Sequence, residues 1–221
     1  MSAPASLRHT LRHDSFRGLC GGGAVYFIGN AMQTMAATWE MVEATGSGFL
    51  AALVQTAVFL PMFLFSLPAG VLADITDRRR LILGALVAQA LAVALLTGLL
   101  AADLAGPGLL LFLSFVTGCS TALITPAWNS TIADSVPRDE LPSAITVVSI
   151  AYNSARALGP TLAGFVFAHV GGPWVFLIAT LSTLAMLQSI RRWPPRPHPP
   201  SRLPAERLWS GMLAGLRFAW H

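Results

Sequence analysis

The sequence predicts an all-α membrane protein of six transmembrane helices, with both ends of the chain on the cytoplasmic side. Three observations carry that prediction. Of 221 residues, 54% are hydrophobic and 11% charged, against about 25% charged in soluble domains, and the mean hydropathy is +0.63. The apolar residues fall into six runs near the roughly 20 residues a spanning helix needs. The 14 basic side chains are all arginine, and they gather in alternate connections. Backbone polar groups in lipid must be satisfied within the chain, which leaves helices or closed barrels. Continuous apolar runs without two-residue alternation exclude the barrel.

The elements follow in order. A basic tail, residues 1–17, carries Arg8, Arg12 and Arg17. The first span is read over 18–41, with Asn30, Gln33, Thr34 and Thr38 at spacings of three and four, and Trp39 as an interface anchor near its outer end. The second, 49–73, carries Gln55 and ends at a charged turn containing Asp74, Asp77, Arg78, Arg79 and Arg80. The third covers 81–102, and the fourth, 108–132, contains Ser114, Thr117 and Thr121. Asp139 and Glu140 precede the fifth span, 141–168, and read as a helix start favoured by the dipole. The sixth spans 173–190, and residues 191–221 form a proline-rich cytoplasmic linker followed by an amphipathic helix along the inner surface or leading into another span.

Thirteen arginines lie before the first span, in the second–third and fourth–fifth connections, or after the sixth, while the remaining one, Arg156, lies inside a span. By the positive-inside rule those connections and both termini are cytoplasmic. The net charge of +4 is therefore distributed as an orientation signal rather than as the basic groove of a nucleic-acid partner. The first apolar run exceeds the core of a cleaved signal peptide. Cys20 and Cys119 stand alone within spans as packing residues. There is no phosphate loop, metal-ligand motif or nucleophile elbow, so no enzyme activity and no cofactor are expected.

Gly70-Val71-Leu72-Ala73-Asp74-Ile75-Thr76-Asp77-Arg78-Arg79-Arg80 resembles the G-x-L-A-D-R-x-G-R-R/K loop between the second and third helices of major facilitator superfamily transporters. Gly70, Leu72, Ala73, Asp74, Arg78 and Arg79 fall on the pattern, and Ile75 and Asp77 depart from it. Ala51–Ala57, Leu67–Gly70, Thr125–Trp128, Val136–Leu141 and Asn153–Pro160 resemble a bacterial branch of that superfamily, the enterobactin-exporter-type permeases and transmembrane secretion effectors. The resemblance runs from about Gly29 to Trp193. It implies a fold of twelve helices in two halves, each half an inverted three-helix repeat. The six helices here are then the N-terminal half, as a fragment, a split protein or a truncated gene product.

The same resemblance implies a proton-coupled exporter of small organic molecules in a bacterial inner membrane. Its partners are the lipid bilayer, a small-molecule substrate, protons, and either a C-terminal six-helix half or a second copy of the chain. The alternative is a non-transporting membrane fragment or interaction subunit. Gly70, Asp74, Asp77 and Arg78–Arg80 are the expected cytoplasmic gate, with a tight turn plus orientation signal as the plainer reading. Asn30, Gln33, Gln55, Asn153 and Arg156 are the expected cavity or coupling residues. An arginine within the membrane costs about 2.5–3.5 kcal/mol even on insertion scales, so it faces protein or water, or snorkels. Gly159, Pro160 and Gly164 match a kink and packing motif of superfamily antiporters, with Ala163 replacing a glycine. Ser114 stands where such antiporters often carry a basic residue, and Arg156 is expected to take over that charge. Glu40 is read as a rim acid, with a buried proton carrier as the alternative.

Overall fold

The computed structural model describes residues 7–193; the side chains of residues 7, 8, 66, 67, 71 and 73–75 lie outside that description. Among the described residues the chain is entirely helical: α1 (Leu7–Thr10), α2 (Asp14–Thr45), α3 (Gly48–Ile75), α4 (Arg78–Ala101), α5 (Pro107–Ser135), α6 (Leu141–Val170) and α7 (Gly172–Arg192), with a 3₁₀ turn at Arg138–Glu140. Each of the six apolar runs is one long helix. The proline-rich linker and amphipathic helix expected over 194–221 lie outside the described residues.

Local chemistry sets the ends. Ser47 caps α3 by accepting from Leu50 N, and Asp77 caps α4 by accepting from Arg80 N. These contacts satisfy amides that the first turn leaves free. Gly46 takes the left-handed conformation that closes α2 (φ 64°), where a residue with a Cβ would be strained. The connection between α3 and α4 is only Thr76 and Asp77. Arg78–Arg80 therefore form the first turn of α4 rather than part of a loop. Three cations at a helix N-terminus oppose the dipole, and the Asp77 cap offsets this.

Part of the basic tail read over 1–17 is helical and packed: α2 begins at Asp14, and Thr10 and Phe16 are fully buried. Glu140 stands at the start of α6 as expected, at its N-cap position, and it is also buried against His9 and His13. Burial alone would raise the Glu140 carboxyl, but the hydrogen bond from His13 and its companions outweigh this and hold it below its ordinary value.

Four helices, α3 over Gly48–Phe65, α4, α5 and α7, are long and apolar enough to cross a membrane by length and composition. The other two, α2 and α6, are as long but carry the polar residues Asn30, Gln33 and Thr34, and Asn153 and Arg156. The bundle has two stacked cores. One joins Phe16, Leu86, Ile132 and Ile190; the other joins Met41, Val54, Leu96 and Phe176. The arginine-bearing ends of the helices meet beyond the first, where the Arg79 guanidinium donates to the Arg191 carbonyl oxygen. Leu91, Leu95, Phe112, Leu181 and Leu184 stand exposed on the outer faces of the bundle, as lipid-facing side chains do.

The strongest packing pairs α2 with α7 and α6, α3 with α5, and α4 with α7 and α5. Exchanging α2 for α5, α3 for α6 and α4 for α7 maps these pairs onto one another, the pattern a three-helix internal repeat produces. Small residues set the close approaches. An added Cβ at Gly22 would collide with Ser189, and one at Gly29 with Ser182, so α2 and α7 run antiparallel along a glycine–serine seam.

Candidate functional site

Between α2, α3, α5 and α6 lies a cavity of about 600 Å³. Its polar lining comes chiefly from Asn30 and Thr34 on α2, Gln55 on α3, Asn129 on α5, and Asn153 and Arg156 on α6. Aromatic rings supply much of the rest: Tyr26, Phe27, Phe59, Trp128 and Tyr152. No carboxylate lines it among the described residues. Pro160, inside α6, contributes to the wall.

Helix phase decides which polar residues reach this space. Asn30 and Thr34 are four apart on one face of α2 and both line the cavity. Gln33 is buried elsewhere, its Oε1 without a hydrogen-bond partner, and is not a lining residue. Ser114 and Thr117 are buried in α5 outside the lining, whereas Thr121 belongs to it. Gln55 Nε2 donates to Thr38 Oγ1 at 3.0 Å, tying α3 to α2 at one edge.

Arg156 and Asn153 are exposed on the cavity side of α6. The Arg156 guanidinium carbon stands 5.8 Å from the centroid of the Tyr152 ring, within the range of a cation–π contact. Small residues flank the Arg156 position on either side, Gly159 one turn on and Gly164 two turns on. An added Cβ at Gly159 would lie 2.5 Å from Ala31 Cβ, and one at Gly164 2.8 Å from the Trp39 ring. These contacts press α6 against α2 beside the cavity.

Behind the wall lies a polar relay that sequence reading missed. Tyr26 Oη donates to Gln89 Oε1 at 2.9 Å, and Gln89 Nε2 donates to Asn30 Oδ1 at 3.2 Å. Gln89 is fully buried on α4, where a lone glutamine in an apolar run gives little sign of its partners. The chain of bonds fixes the Asn30 amide in orientation, because its carbonyl is engaged as the acceptor.

At the arginine-bearing end, Arg78 Nη1 donates to Asp134 Oδ2 at 2.8 Å, joining the start of α4 to the last turn of α5. Asp134 is a second residue that spacing did not single out, since its partner is 56 positions away. Asp77 caps α4 and stands 3.7 Å from Arg80 Nε. Gly70 lies within α3 with open space where a Cβ would stand. Asp74 lies in the last turn of α3, and its side chain is outside the described residues. The Arg78–Asp134 pair is just over a quarter exposed, so its coupling should be modest, about 0.5–1 kcal/mol. A double-mutant cycle on thermal stability is expected to show this: Arg78→Asp and Asp134→Arg each destabilise, and the exchanged pair recovers part of the loss.

Long apolar helices around a one-sided polar and aromatic cavity, with a charge-locked turn at one end, accord with a helical membrane protein of the major facilitator superfamily. More specifically, the chain belongs to the transmembrane secretion effector family, whose model matches residues 5–221. It is 31% identical over 206 residues to the multidrug efflux pump Tap of Mycobacterium tuberculosis, an alignment covering 87% of this chain and 48% of that protein. Macrolide efflux protein A of Streptococcus pyogenes is 27% identical over 154 residues, 69% of this chain and 38% of that one. The staphyloferrin A transporter of Staphylococcus aureus is 25% identical over 152 residues, 68% and 38% of the two chains. The chain spans about half the length, or less, of these curated relatives.

Proposed function

We propose that this chain forms the N-terminal half of a secondary transporter that exports small organic molecules, coupled to protons, by alternating access. The observation that carries the reading is the cavity between α2, α3, α5 and α6: it is polar and aromatic, about 600 Å³ in volume, and contains a cation. Ligand sites of this kind are concave and mostly apolar, with a few converging polar groups. The cavity would form one wall of the translocation path, and a second six-helix half, or a second copy of the chain, the other. The two three-helix segments, α2–α4 and α5–α7, would be the inverted repeats of this half.

In this reading α2 and α6 also cross the membrane, giving six spans. The arginine-rich end faces the cytoplasm with both termini, in the inner membrane of a bacterium. Arg78 with Asp134, and Asp74 with a helix end of the other half, hold the cytoplasmic gate. A cation among aromatic rings, with no carboxylate in the lining among the described residues, favours substrates that are amphipathic and carry an anionic or hydrogen-bond-accepting group. Siderophores, drugs and hydrophobic metabolites all contain members of that class. The proton-carrying acid is then supplied from outside this cavity wall.

The test is efflux of a fluorescent substrate panel from vesicles under an imposed proton gradient. The chain is assayed alone and together with the C-terminal half of one of the relatives. Transport only in the combined sample, abolished when the gradient is collapsed, is expected. Transport by the chain alone would replace the second half with a homodimer. No transport in either sample, with insertion confirmed, would favour a non-transporting fragment or interaction subunit.

A further inference from the structure

A second cluster of chemically able side chains lies far from the cavity, where the N-terminal segment meets the α5–α6 connection. His9 in α1, His13 just before α2 and Glu140 in the 3₁₀ turn bring one ligand atom each within 4.8 Å of one another. His9 Nδ1 is 3.1 Å and His13 Nε2 3.2 Å from the same oxygen, Glu140 Oε1. The second oxygen, Oε2, has no hydrogen-bond partner among the described residues, although Glu140 is only 4% exposed. Beside them the fully buried Thr10 hydroxyl interacts with the Glu140 carboxyl without making a well-formed hydrogen bond.

As a set of hydrogen bonds this is poor. One carboxylate oxygen is used twice and the other has no well-formed bond, an unfavourable arrangement for a buried acceptor. As a ligand set it is good. Two imidazoles and one carboxylate are a donor combination that zinc takes, with a fourth position left for water. With metal–ligand bonds of about 2.0–2.2 Å, tetrahedral neighbours sit roughly 3.3–3.5 Å apart, within a few tenths of an ångström of the two N···O separations. The His9 side chain is 57% exposed and gives an ion a way in, while the Glu140 side chain at 6% anchors the far side.

We propose that His9, His13 and Glu140 form a zinc-type divalent-cation site that fastens the N-terminal segment to the α5–α6 connection. The ion would sit between the two imidazole nitrogens and Glu140 Oε1. It would hold α1 against the start of α6, at the end of the bundle that carries the arginine-rich turn. The site is separate from the transport cavity and stands or falls independently of it.

The test is zinc titration of the purified full chain, carrying an affinity tag without histidine and stripped with chelator, against a fluorescent zinc indicator. One zinc per chain is expected, not displaced by magnesium. The His9→Ala/His13→Ala double variant should lose roughly tenfold or more in affinity. Because Glu140→Gln risks the fold, His9→Ala, at an exposed side chain, serves as the mild variant and should lose affinity with its melting temperature in the absence of metal unchanged. A His169→Ala/His198→Ala/His221→Ala variant should bind as the parent does. Zinc binding equal in the parent and the double variant, or absent from the parent, would overturn the proposal.

Discussion

Replacing Gly118 with alanine is expected to destabilise the bundle, whereas the same replacement at Gly84 is expected to stabilise it. Both glycines lie within long helices, so the intrinsic gain in helix propensity, about 0.8–1 kcal/mol, is the same. Their surroundings differ. A Cβ at Gly84 meets nothing within 4 Å. A Cβ at Gly118 would stand 2.5 Å from the Val58 carbonyl oxygen and 2.9 Å from that of Ala57. Both are backbone atoms of α3, so no side chain can swing aside and the helices themselves must separate. Overpacking of this kind costs about 1–3 kcal/mol, which exceeds the propensity gain over most of that range. Thermal unfolding in detergent should show opposite shifts for the two variants, each of a few degrees. Because Gln55 and Phe59 on α3 and Thr121 and Thr125 on α5 line the cavity, Gly118→Ala should also weaken transport in the assembled protein.

The largest functional effect is expected at Arg156. The side chain is exposed and lies over the Tyr152 ring, so Arg156→Gln should leave expression and melting temperature nearly unchanged. If it holds an anionic substrate group, the lost charge-assisted bonding is about 1.5–3 kcal/mol, or roughly tenfold to a hundredfold in apparent affinity. Arg156→Lys should recover only part of this, because a lysine keeps the charge without the planar fork. Concentration-dependent efflux by the three proteins measures the difference. Unaltered efflux by Arg156→Gln would remove Arg156 from substrate recognition.

Much of the fold was legible because lipid imposes a simple rule: the six apolar runs became the six long helices, with ends within a few residues of their sequence limits. The differences have local causes. The Asp77 cap draws Arg78–Arg80 into α4, and the buried Phe16 carries α2 back towards the N-terminus. The site was only half legible. Spacing placed Asn30 and Gln33 together, but the period of a helix does not say which neighbour a face meets, and only Asn30 lines the cavity. Asp134, Gln89 and the Glu140 cluster depend on partners 56, 63 and 131 residues away. No local pattern encodes such pairings; they arise from how the helices cross.

If the cavity between α2, α3, α5 and α6 is part of a substrate path, cysteines placed on its wall are reached by soluble reagents. With Cys20 and Cys119 replaced by alanine, Asn153→Cys on the cavity face is labelled by a membrane-impermeant thiol reagent in the assembled transporter, from each side of sealed vesicles. The account predicts labelling from both sides and protection by a transported substrate. Labelling from neither side, or labelling that substrate leaves unchanged, would contradict it.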